Sequence, residues 1–146
     1  MSFLRDLNWV DIIQSTGILF GLYFSIASLR RDTKERKLQN YLTITQYHRE
    51  VWSLTFENPE VRRVFIRNHD AILEPLSDNE RQFLTLIFTH ISCSFEMERL
   101  GSIVKIERLR EDIKSLLEFP LVCAFWDNVK EFHNSRFVEY IESCRP

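Results

Sequence analysis

From residue 12 to residue 29 the chain reads IIQSTGILFGLYFSIASL, eighteen positions without a charge, and the cluster RRDTKERK follows at once. At ~1.5 Å rise per residue the run spans roughly 27 Å, close to the ~30 Å hydrocarbon core of a bilayer, so the pattern predicts a transmembrane helix. Its polar minority is gathered on one side. Gln14, Gly17, Gly21, Ser25 and Ser28 share an arc of about 80° on a helical wheel. Gly17 and Gly21 form a GxxxG, extended by Ser25, and such a face lets two helix backbones approach closely where lipid offers no hydrophobic drive. Self-association through this packing face is therefore expected.

Two other readings of the run are weaker. A secretory signal needs a basic leader, whereas Arg5 is offset by Asp6 and Asp11, and no small-x-small cleavage site precedes the charges. A buried core helix is the remaining alternative. Residues 30 to 37 hold Arg30, Arg31, Lys34, Arg36 and Lys37 against Asp32 and Glu35. The positive-inside rule then predicts a short N-terminal tail outside and a cytoplasmic C-terminal domain. Trp9 falls where an interfacial aromatic belongs.

Beyond residue 31 the apolar spacing is helical nearly throughout, with no strand-like alternation. Three glycines and four prolines in 146 residues leave few breaks. A first helix is predicted to continue from the membrane span over about 32–56, turning Leu38, Tyr41, Leu42, Val51 and Trp52 inward. Asn58 and Pro59 stop it and open a short helix to about residue 67, with Val61, Val64 and Phe65 inward. A loop over 68–76 leads to Ser77-Asp-Asn-Glu80, which reads as a capping box opening a helix over 78–100, closed by Gly101. A helix over 105–118 repeats Ile106, Leu109, Ile113, Leu116 and Leu117 at steps of three and four. Pro120 begins another, carrying Leu121, Phe125, Val129 and Phe132. A last helix over 136–143 turns Phe137, Tyr140 and Ile141 inward. The expected fold is all-α: residues 1–31 form the tail and transmembrane helix, and residues 32–146 form one cytoplasmic bundle of about five helices.

The uncharged stretch QFLTLIFTHISCSF at 82–95 is fourteen residues long, too short to cross a bilayer. Apolar residues cover roughly 240° of its wheel. It reads instead as the hub helix of the bundle.

Charge narrows the partners. Residues 32–146 carry 16 basic against 19 acidic side chains, and without a basic stripe to displace counterions nucleic-acid binding is disfavoured. The cluster at 30–37 suits anionic lipid headgroups. Cys93, Cys123 and Cys144, odd in number and widely spaced, form neither a disulfide framework nor a zinc knuckle. No cofactor or metal motif stands out.

Two arrangements could carry chemistry. His90, Ser94 and Glu98 stand four residues apart on one row of the hub helix. A relay is conceivable, but i, i+4 neighbours on a wide apolar face ordinarily satisfy one another, so the row is read as a buried polar row specifying helix pairing. Arg63 and His69 match the arginine-x4-6-histidine spacing of HEPN-type ribonucleases, although the residue after the arginine, Val64, is apolar where those enzymes have a polar one. A nuclease-like effector using Arg63 and His69 is the alternative reading. His48 and His133 read as isolated structural or surface residues.

The layout as a whole, a membrane span ending in basic residues followed by FLTLIFTHISCSFEMERLGSI and DIKSLLEFPLVCAFWDNVKEFHNSRFVEYI, resembles a diffuse group of uncharacterised bacterial single-pass membrane-anchored small helical proteins. That resemblance implies an inner-membrane protein with a cytoplasmic helical domain, and it carries no catalytic residue across. A looser likeness is to small membrane proteins of phage-defence systems that assemble into pores, including HEPN-like accessory proteins. The function expected is a membrane-anchored interaction or scaffold module with no assigned reaction. Its partners would be the lipid bilayer, further copies of itself and another protein at the inner membrane. An oligomeric pore answering infection or stress is the other alternative.

Overall fold

The computed structural model describes residues 9–67, 75–103, 105–106 and 108–145. Among these the chain is helical and contains no strand. Helix α1 (Trp9–Glu57) is a single element of 49 residues, about 74 Å long at the α-helical rise. Its continuity follows from composition, since neither glycine nor proline occurs between Gly21 and Asn58. The threonines inside it are satisfied locally. Thr16 and Thr33 donate back to the carbonyls of Ile12 and Leu29 at 2.7 and 2.8 Å, so each hydroxyl finds its acceptor one turn earlier. By length and composition α1 is able to cross a membrane.

Pro59 does restart the chain, but as a 3-10 helix, Pro59–Phe65, and the side chain of Asn58 makes no capping bond. Val61 and Val64 are buried there as expected and Phe65 is half-buried. Most of the loop expected over 68–76 lies outside the described residues. Helix α2 (Asp78–Arg99) opens with the full capping box: the Glu80 amide donates to Ser77 Oγ and the Ser77 amide donates to the Glu80 carboxylate. Two orphan donors of the first turn are thereby satisfied. Gly101 follows α2 with φ of +64°, the left-handed conformation that a helix terminator needs and a side chain disfavours.

Helix α3 (Leu109–Leu117) is shorter than the expected 105–118. The Ile106 amide donates instead to the Glu98 carboxylate at 3.3 Å, which fastens the connection to α2. Helix α4 (Pro120–Val129), a 3-10 turn (Lys130–Phe132) and α5 (Ser135–Glu142) complete the chain. Asn134 caps α5, accepting from the Arg136 amide.

The core is aromatic at its centre. Phe88 of α2 stacks on Trp126 of α4 with ring centroids 5.0 Å apart, and Phe137 of α5 meets Trp126 edge-on at 5.8 Å. The Trp126 indole N–H, fully buried, is answered by Glu142 at 2.9 Å, as a buried donor requires. Phe83, Leu84, Ile87 and Ile91 extend this core along α2, and Ile113, Leu117, Leu121 and Ile141 close around it.

Two expectations are corrected. Leu38 and Leu42 do not face the core but are exposed, Leu42 at 59 %, while Tyr41 and Trp52 stand at the rim of the domain, partly exposed, and Val51 is half-buried. The side of α1 that packs on the domain carries Asn40, Ile44, Val51 and Thr55. This half of α1 bears two apolar stripes, and the domain covers the one holding Ile44. Phe132 is 86 % exposed, because the 3-10 turn carries it off the apolar face of α4.

Candidate functional site

A concave surface lies where α1 crosses α2 and α3, a cavity of about 700 Å³. Its walls are apolar: Ile44 and Val51 of α1, Ile87 and Ile91 of α2, Leu109, Ile113 and Leu116 of α3, with Trp52, Phe65 and Phe119 at one end. The three aromatic rings form a chain, Trp52 stacked on Phe65 at 5.4 Å and Phe65 edge-on to Phe119 at 5.4 Å. Size and lining are those of a small-molecule or side-chain receptacle.

Few polar groups converge on it. His48 of α1 and His90 of α2 approach with ring centroids 5.3 Å apart, and Asp112, Thr45, Ser94 and Tyr41 also line the walls. Burial pushes the His90 imidazolium below its ordinary pKa, and the like charge available on His48 pushes it further the same way. Both effects favour the neutral imidazole at His90. The pair was not legible as a pair in the sequence, where His48 reads as isolated. The signal was its position four residues after Ile44, on the flank of the stripe that packs inward.

The expected polar row is present on α2, yet its members do not act on one another through their side chains. Ser94 Oγ donates to the backbone carbonyl of His90 at 2.9 Å, and the Glu98 carboxylate accepts from the Ile106 amide. Ser94 is buried and His90 and Glu98 are half-buried. His90 turns to α1, Ser94 to its own helix and Glu98 to the chain leading to α3.

Arg63 is engaged elsewhere. Its guanidinium grips Glu80 with two bonds of 2.6 Å and donates to the Pro75 carbonyl at 3.0 Å. The Glu80 carboxyl is held below its usual value, first by Arg63 and then, against the opposing effect of burial, by the Ser77 amide and hydroxyl. Arg63 thereby ties the 3-10 helix to the capped start of α2. His69, its partner in the nuclease-like reading, lies outside the described residues.

Gln14, Gly17, Gly21, Ser25 and Ser28 are all exposed. A Cβ added at Gly17 or Gly21 would meet nothing within 4 Å, so among the described residues nothing within one chain uses the closeness that glycine permits. All three cysteines are free, Cys93 exposed and Cys144 buried. Among the described residues no group of three or more His, Cys, Asp or Glu side chains is placed to hold a metal ion. Set against known protein families, curated proteins and solved structures, the chain matches none.

Proposed function

We propose that this chain is a membrane-anchored helical interaction module, held in a bacterial inner membrane by residues 12–29, with residues 32–146 on the cytoplasmic side. One observation carries the reading: none of the other described residues covers the apolar window of α1. The core helix of a soluble domain would be buried. Twelve large apolar side chains between Trp9 and Leu29 instead face outward all round the helix, and hydrocarbon is the environment in which such a surface is stable. The exposed cations at 30, 31, 34 and 36 then lie at headgroup level, where each contributes about 1 kcal/mol toward an anionic leaflet.

Copies associate through Gln14, Gly17, Gly21, Ser25 and Ser28, and the groove walled by α1, α2 and α3 is the surface that receives another molecule. The commitment of Arg63 to Glu80 favours this binding role over a nuclease-like one. Carbonate extraction of membranes from producing cells tests the anchor: the chain stays in the pellet, and its release into the supernatant refutes the proposal. In a membrane two-hybrid assay Gly17→Leu and Gly21→Leu lower the self-association signal. An unchanged signal removes the small face as the contact.

A further inference from the structure

The second apolar stripe of α1, exposed along most of its length and touching the domain only at its groove edge, has a period of its own. Leu38, Leu42, Thr45, Arg49, Trp52 and Phe56 follow alternating steps of four and three, the 3.5-residue repeat of a left-handed coiled-coil seam. With Tyr41 on its flank, the stripe occupies an arc of about 100°. Tyr47 is the only exposed large hydrophobic side chain of residues 32–57 outside that arc. Continued toward the N-terminus, the same steps pass through Glu35 and Arg31 and reach Gly21 and Gly17. One seam thus joins the small face of the apolar segment to the bare stripe of the domain.

We infer that this stripe is a parallel dimer seam whose occupant is α1 of a second copy of this chain. The inference rests on the anchoring proposed above for the parallel sense and for the area that suffices, because two chains entering one membrane from the same side present the stripe in register. Area supports it. Leu38, Tyr41, Leu42, Trp52 and Phe56 are between 37 and 75 % exposed. With aromatic side chains of ~150–250 Å² the stripe offers roughly 500 Å² per copy, so two copies reach the ~1,000 Å² of a specific interface.

Confinement to a membrane raises effective concentration and lowers the area that suffices. Charge tolerates the pairing: Arg31 and Glu35, bonded at 2.9 Å within one helix, each face their own counterpart in a parallel pair, and the facing Glu35 one turn away from each Arg31 offsets that like-charge contact. Arg49, the one charged seam position between Leu38 and Phe56, has an apolar stem that lies along the seam while its head reaches water. The domain packs on α1 through Ile44 and Thr55, and the seam borders the groove at Tyr41, Thr45 and Trp52, while Leu38, Leu42 and Phe56 stand clear of it.

Cysteine cross-linking of the full chain in membranes tests this. In a Cys93→Ser, Cys123→Ser, Cys144→Ser background, single cysteines at Leu38, Leu42 and Thr45 give disulfide-linked dimers on mild oxidation. Cysteines at Thr43 and Tyr47, on the other side of α1, do not. Equal cross-linking at all five positions, or none at any, overturns the inference. A second measurement keeps the native cysteines: the detergent-solubilised double variant Leu42→Glu, Phe56→Glu, changed only at exposed positions, falls to monomer mass on dilution at a concentration where the parent is still dimeric, and an unchanged dissociation overturns the seam. Loss of the seam pattern in chains that still resist carbonate defeats this inference alone. Release by carbonate of chains that keep the pattern defeats the anchor alone.

Discussion

Replacing Arg63 by Met isolates what the Arg63–Glu80 pair contributes. Glu80 is 2 % exposed, and its carboxylate accepts two 2.6 Å bonds from Arg63 and one of 2.7 Å from the Ser77 amide. In Arg63→Met the amide bond survives and the charge is left buried without its counter-ion. Breaking a buried pair by removing one partner costs about 3–5 kcal/mol. The Arg63 side chain is itself 28 % exposed, so water enters the vacated space and the expected loss is at the lower end, ~3 kcal/mol, or roughly 10 °C in Tm for a domain of this size. The pH dependence has a definite sign. Glu80 is held below its ordinary value of 4.5, so its contribution in the parent is complete above that value and disappears as pH falls through the depressed one. In Arg63→Met the same carboxyl is shifted upward by burial and escapes its penalty by taking up a proton. The stability gap between parent and variant is therefore widest near neutrality and narrows in acid. Guanidinium unfolding of the full chain in mild detergent, followed by far-UV circular dichroism at pH 7 and pH 4, measures it. A loss under about 1 kcal/mol at pH 7, below the net value of ordinary hydrogen bonds to a charged group, or a gap that widens in acid, refutes the reasoning.

Two more outcomes are expected. His90 is depressed below its ordinary value of 6.5, so stability declines as pH falls through 6.5 toward the depressed value. Thermal melts at pH 7.5 and 5.5 show the decline, and NMR titration of His48→Gln finds the His90 pKa closer to 6.5, with an unmoved pKa contradicting the coupling. Gly101→Ala, which meets no neighbour but sits at a φ of +64°, costs about 1 kcal/mol in denaturant midpoint through backbone conformation alone, and Gly101→Asn costs less.

How much of this was legible in the sequence depends on how local the cause is. The Ser77–Glu80 capping box, the Gly101 terminator and the proline starts at Pro59 and Pro120 are decided within a few residues, and the sequence reading places them correctly. The inward face of α1 is not local. Leu38, Leu42 and Trp52 make as good a stripe as Ile44 and Val51, and only the docking of α2 selects between them. For the same reason the His48–His90 approach and the Arg63–Glu80 pair escape a reading by spacing, since each joins separate elements. The 3-10 form of Pro59–Phe65 and the late start of α3 turn on hydrogen bonds that periodicity does not encode.

The unbroken course of α1 has a mechanical consequence. A helix without proline or glycine bends gently and has no hinge, and from Leu22 to Glu57 this one has neither. Under the proposed anchoring, a tilt or twist imposed on the segment in lipid is conveyed along a stiff shaft. It reaches the wall of the groove at His48 and Trp52 as motion against α2 and α3, so thickness or tension of the bilayer and the shape of the cavity are geared to each other.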